Sequence, residues 1–191
     1  MVSFPTIRIV PPEDYDDLDR AIDSIDTYQW IVFTSANGVW YFFDRFRKLR
    51  HDIRDLKGIK ICTIGPATRD RVEEYHIRVD LVPEEYVSHA VVEAFRGMDI
   101  AGTRVLLPRA EIAGSIIPDG LKDLGAQVDV VTAYRTVSSG VDGNYLKGLM
   151  DSGKIDVITF TSPSTVTNFR DIMQDETIIP NHIKIACIGP V

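Results

Sequence analysis

The sequence predicts an α/β protein built on parallel sheets, with two domains of the same design. Three observations predict it. Short apolar runs of strand length alternate with amphipathic segments of helix length, the pattern of a parallel sheet covered on both faces. Pieces of sequence recur in the same order: Trp30-Ile31-Val32-Phe33-Thr34-Ser35 returns as Val157-Ile158-Thr159-Phe160-Thr161-Ser162, and Ile61-Cys62-Thr63-Ile64-Gly65-Pro66 returns as Ile185-Ala186-Cys187-Ile188-Gly189-Pro190. Two turn-rich stretches, Ile9–Asp14 and Thr136–Gly143, follow a pair of similar Arg-containing strands, Phe4–Val10 and Val131–Val137.

Taken in order, the strands are expected at 29–34, 59–63, 78–82, 103–107, 127–132, 156–161 and 183–187. Val39, Phe42, Phe43, Phe46 and Leu49 mark a helix over 37–50. Val87, Val91, Val92 and Phe95 mark a second, and Ile112, Ile116, Leu121 and Leu124 a third, with Pro118 disturbing its early turns. The acidic run Glu13–Asp19 suits the first turn of another helix, where negative charge favours the dipole. The boundaries implied are a connector strand and the end of an outer domain at 1–12, a complete inner α/β domain at 13–132, and a second connector with a partial outer domain at 133–191. By that count the outer domain is incomplete, and the chain reads as the middle of a longer protein.

Composition narrows the function. Of 191 residues, 45% are hydrophobic and 26% charged, ordinary values for a globular protein. A net charge of −7 argues against a broad nucleic-acid surface, which needs clustered Lys and Arg. No apolar run approaches the roughly 20 residues of a membrane span, and the N-terminus lacks a signal-peptide pattern, so the cytoplasm is expected. The two cysteines, Cys62 and Cys187, lie in strand-like runs and read as reduced core residues. The four histidines are scattered without metal-ligand spacing, so no metal is expected.

Chemistry in such a sheet concentrates where strands exit into helix N-termini. At Thr34-Ser35-Ala36-Asn37-Gly38, either Ser35 or Asn37 can cap the following helix, and hydroxyls remain near a crevice. Gly65-Pro66-Ala67-Thr68 is a second such junction, with Thr68 in the opening turn. It has neither the glycine spacing of a dinucleotide fold nor the Lys of a P-loop. Arg109, at the end of Leu106-Leu107-Pro108-Arg109, can bind a carboxylate bidentately or pair with Glu111. Tyr134, on the second connector strand, can donate a proton or pack.

These motifs together resemble the uroporphyrinogen-III synthase family: Phe33–Val39, Ile64–Thr68, Leu107–Glu111, Tyr134-Arg135-Thr136 and Phe160–Ser164 stand in that family's order across the whole chain. The resemblance implies two flavodoxin-like parallel-sheet domains joined by a two-stranded connector, the first domain discontinuous. It implies a cyclising lyase of tetrapyrrole biosynthesis that needs no cofactor. Hydroxymethylbilane would lose water and close to uroporphyrinogen III with its last ring inverted, by way of an azafulvene and a spiro-pyrrolenine. Tyr134 matches the favoured proton donor. Thr34, Ser35, Thr68, Ser162 and Ser164 match hydroxyls that line the substrate cleft, and Arg109 is a further expected contact. Coupling to hydroxymethylbilane synthase, or fusion to a methyltransferase of the same pathway, is the expected partnership. Because the second Ile-Gly-Pro motif ends at Val191, weak turnover by this chain is a further expectation. The competing reading is a two-domain module that binds a small molecule without chemistry.

Overall fold

Strand β2 (Trp30–Phe33) is buried at all four positions, and its alternate side chains feed two different cores. Ile31 and Phe33 pack with helices α1 (Asp16–Asp23) and α2 (Ala36–Lys48) on one face of the sheet. Trp30 and Val32 pack with α4 (Ser88–Arg96) and α5 (Ile116–Asp123) on the other. Strand β4 (Arg104–Ala110) does the same, with Leu106 on the first face and Val105 and Leu107 on the second. A strand sandwiched in this way can afford no polar face, which is why these runs are continuously apolar.

The computed structural model describes residues 2–160, 163–173 and 179–187. Its fold is mixed α/β with parallel pairing. Five strands form one sheet in the order β1-β5-β4-β2-β3, where β1 is Ile7–Val10, β3 Lys60–Thr63 and β5 Gln127–Ser138. The pairs β2–β3, β2–β4 and β4–β5 are parallel. From β2 the chain moves outward to β3 and then returns past β2 to β4. The winding therefore changes direction between β2 and β4, the kind of switch point beside which α/β sheets bind ligands.

The chain divides into two compact units, one of residues 9–135 and the other of 1–8 with 136–191. In the second unit, β6 (Val157–Phe160) and β7 (Lys184–Cys187) form a parallel pair. Helices α6 (Gly143–Asp151) and α7 (Pro163–Ile172) supply Leu146, Met150 and Phe169 to a small core with Phe160 and Ile183.

Several expectations need correction. The turn-rich stretches are shorter than their composition suggests: Ile9 and Val10 belong to β1, and β5 runs through Ser138. Strand pairing overrides turn propensity there. The strand expected at 78–82 reduces to one parallel bridge between Leu81 and Cys62. Its neighbour Asp80 accepts the Ile61 N–H with its carboxylate at 2.7 Å, taking a donor that a longer ladder would use. Ile112 lies outside the third helix and is 88% exposed; α5 starts at Ile116, which puts Pro118 in the first turn, where its missing N–H costs nothing. Cys62 is buried as expected, but Cys187 is exposed, because β7 shows solvent-accessible side chains along its length.

Candidate functional site

Ser35 is the N-cap of α2. Its backbone is extended, and its Oγ accepts the Gly38 N–H at 3.0 Å, satisfying one of the donors that a helix start leaves open. Between the two capping candidates, the structure selects Ser35; Asn37 is exposed in the first turn. The same Oγ lies 3.0 Å from the hydroxyl of Tyr134 on β5. Since Oγ has one proton and two lone pairs, it can accept from Gly38 and still exchange a hydrogen bond with the phenol in either direction.

Tyr134 is 8% exposed, and its ring stacks on Tyr41 of α2, with centroids 5.7 Å apart and planes 21° from parallel. Tyr41 is held in turn by donating its hydroxyl to the Ile9 carbonyl at 3.2 Å. Gly38 admits this arrangement. A Cβ there would stand 3.2 Å from the Pro108 carbonyl oxygen, 3.3 Å from Ser35 Oγ and 3.9 Å from the Tyr134 ring. The bare backbone lets β4, α2 and β5 meet at one point.

Arg109 follows Pro108 on β4 and is 7% exposed. It does not pair with Glu111. Its Nη2 donates to the Gly114 carbonyl at 2.5 Å, which ties down the exposed loop leading to α5. Burial pulls its guanidinium below the ordinary arginine value, and the neighbouring Tyr134 phenol opposes that pull. Register also shifts here: Arg109 is opposite Thr132 but Ala110 is opposite Tyr134, so a bulge separates the two residues. Bulges re-aim side chains at strand ends.

Thr68 is the third residue of α3 (Pro66–Glu73) and is 5% exposed. Gly65 caps that helix without a side chain, and Pro66 supplies the first helical position. Thr34 is half-buried just before Ser35. A groove of about 560 Å³ runs beside these helix starts, lined by Ala36, Asn37, Trp40, Tyr41 and Ala67 among others. Thr34, Ser35, Thr68 and Arg109 thus sit at or just beyond the carboxyl ends of β2, β3 and β4, and Tyr134 lies within β5 opposite the last residue of β4, all within one unit. Ser162 lies outside the described residues. Ser164 falls on the backbone of α7.

Tyr41, Gly38 and Trp40 were not expected. A signal for the two aromatics was present: they fall off the apolar stripe formed by Val39, Phe42, Phe43 and Phe46, so core packing does not account for them. Nothing in the local sequence pairs Tyr41 with Tyr134.

The family model described as uroporphyrinogen-III synthase HemD matches residues 1–191. A putative uroporphyrinogen-III synthase of Methanothermobacter thermautotrophicus is 37% identical over 173 residues, covering 87% of this chain and 67% of that protein. The porphyrin biosynthesis protein HemD of Ruminiclostridium josui is 31% identical over 188 residues, covering 98% of this chain but 37% of its own length. Among solved structures, a mutant uroporphyrinogen III synthase from Thermus thermophilus aligns over 97% of this chain and 74% of its own, with a TM-score of 0.65 at 14% identity, a likeness of fold.

Proposed function

The chain belongs to the uroporphyrinogen-III synthase family, and we propose that its site cyclises hydroxymethylbilane to uroporphyrinogen III, inverting the last ring and releasing water. The observation that carries this reading is the Ser35–Tyr134 hydrogen bond at the carboxyl edge of the sheet. It holds a phenol in a defined direction, as a general acid requires, and Tyr41, on which the phenol ring stacks, lines the groove.

Departure of the bilane's hydroxyl is the step that needs help. Tyr134 protonates the leaving oxygen, and the pyrrole nitrogen supplies the electrons that break the carbon–oxygen bond. Ser35 orients the phenol. What remains is to keep the cation-like azafulvene from closing in the wrong sense, and folding of the chain by the walls supplies that. Thr34 and Thr68 are proposed substrate contacts, and Ser162 and Ser164 are proposed on the strength of the repeated Phe-Thr-Ser motif. The N–H groups opening α2 and α3 suit the substrate's carboxylates. The strand order β3-β2-β4-β5 supports a flavodoxin-like inner domain, and the repeated Phe-Thr-Ser motif supports a second domain of that kind.

The test is a coupled assay that generates the bilane from porphobilinogen, oxidises the products and separates porphyrin isomers I and III. Isomer III is expected from the protein, and Tyr134→Phe is expected to lower its rate by about 10²-fold or more. Bilane binding without isomer III would favour a binding module and overturn the reading.

A further inference from the structure

Helix α2 turns its apolar stripe into the core, but Trp40 stands off that stripe and keeps 39% of its surface exposed. Its ring meets Tyr41 edge to face, with centroids 4.6 Å apart and planes 86° from parallel. Tyr41 in turn stacks on Tyr134, so a run of touching rings leads from the groove wall to the proposed acid. An exposed aromatic alone calls for no explanation, but this one lines a groove of about 560 Å³, the size of a small-molecule cleft. The groove lies along α2 and α3, whose first turns offer it the single methyl groups of Ala36 and Ala67 and so leave room. Its charged lining residues, Asp70, Arg71 and Glu74, belong to α3 and its C-cap, and each is already paired. Asp70 accepts from Arg69 at 2.8 Å, and Arg71 donates to Glu74. A carboxylate entering here would have to displace Glu74 from Arg71 and stand near Asp70. A neutral ring meets no such opposition and finds an aromatic face.

We propose that Trp40 is a substrate-binding residue: the groove seats one pyrrole ring of the bilane against the indole, with that ring's carboxylate arms turned away from α3. The inference deepens the function proposed above and rests on it. Pyrrole is planar and electron-rich and carries its N–H on the edge, so it meets an aromatic side chain stacked or edge-on. The bilane's rings are joined by single methylene bridges, and holding one ring therefore limits where the next can go. The held ring is not the one that loses its hydroxyl. Its contact with Trp40 forms before that step and persists through it, and so adds equally to the binding of substrate and transition state. Binding of that uniform kind lowers KM and leaves kcat alone.

The experiment measures kcat and KM for isomer III formation with freshly made bilane at varied concentration, on wild type, Trp40→Ala and Trp40→Phe, with circular dichroism to verify folding. Trp40→Ala is expected to raise KM about 5- to 50-fold and to leave kcat within about twofold. Trp40→Phe keeps a ring face and should hold KM within about threefold of wild type; it also serves should Trp40→Ala fail to fold. The ratio of Trp40→Ala to wild-type KM should be the same at about 0.05 M and about 0.5 M salt, because a ring contact is not screened. An unchanged KM in Trp40→Ala would overturn the inference. So would a fall in kcat at unchanged KM, which would mean that Trp40 acts only by bracing Tyr41 against Tyr134. A KM ratio that collapses at high salt would mean that a carboxylate occupies the groove, and would overturn it too. Each of these results leaves the proposed function standing, whereas wild-type protein that forms no isomer III removes the function itself.

Discussion

Ser35 and Tyr134, 99 positions apart in sequence, share a hydrogen bond of 3.0 Å, and the Ser35 oxygen that makes it also caps helix α2. One atom therefore joins the start of a helix to the hydroxyl proposed to do the chemistry. Stability and activity should respond together when it is removed. Ser35→Ala is expected to cost about 0.5–2 kcal/mol of folding free energy through the lost cap and to slow isomer III formation as well. Ser35→Thr, which keeps the oxygen, should restore most of both. Thermal melts and the coupled assay on the two variants check this; a stability loss in Ser35→Ala with an unchanged rate would show that Ser35 does not orient Tyr134.

Gly38 stands where three elements converge, and its missing Cβ has little room to appear. The nearest obstacle is the Pro108 carbonyl oxygen at 3.2 Å, a backbone atom that cannot rotate away. Gly38→Ala should push the end of β4 from the start of α2 and disturb the Ser35–Tyr134 contact. We expect activity to fall about tenfold or more while stability drops by about 1–3 kcal/mol. Full activity in Gly38→Ala would mean that the walls shift without cost.

The cysteines should differ in reactivity. Cys62 is fully buried in β3, and burial pushes its thiol up to about 12, so it holds its proton and is shielded from reagent. Cys187 is exposed on β7. Titration with a chromogenic disulfide near neutral pH should modify Cys187 rapidly in the folded protein and Cys62 only after denaturation. Equal, rapid reaction of both would contradict the burial of Cys62.

At the opposite end of the sheet, Tyr28 donates to Asp129 at 2.7 Å, while Arg104 donates to the same carboxylate at 2.6 Å and lies over the Tyr28 ring. Burial, followed by the Asp129 hydrogen bond, raises the Tyr28 phenol well above its ordinary value. A raised value in the folded state means that the unfolded chain releases this proton first. Its contribution is complete below about pH 10 and is lost as pH rises beyond that. For Asp129, burial works against ionisation, but the hydrogen bonds from Tyr28 and Arg104 prevail and the carboxyl sits below its ordinary value. That contribution is present above about pH 4 and is lost as pH falls further. Melting temperature against pH should therefore show a plateau with both limbs, and Tyr28→Phe should lower the plateau and flatten the alkaline limb. An unchanged alkaline limb would exclude Tyr28 as its source.

The helix α2 illustrates how far the residue order reaches. Val39, Phe42, Phe43 and Phe46 repeat at helical spacing and all are buried, because a helix set against a sheet must turn one stripe inward. In the same way, Trp30–Phe33 announces a strand covered on both faces, and Phe33-Thr34-Ser35 and Ile64-Gly65-Pro66 mark strand exits, where ligands meet an α/β sheet. Periodicity and composition are local properties, so the sequence by itself determined the α/β class, most of the elements and the strand-exit residues. Which of those residues meet was not local. The Ser35–Tyr134 bond, the stacking of Tyr41 on Tyr134 and the burial of Arg109 arise from β2, β4 and β5 becoming neighbours. Strand order and register are set by long-range pairing, which also carried β1 and β5 into stretches that composition marked as turns. The tertiary structure alone decided that Ser35 serves as both cap and partner, and that Arg109 is buried and donates to the Gly114 carbonyl.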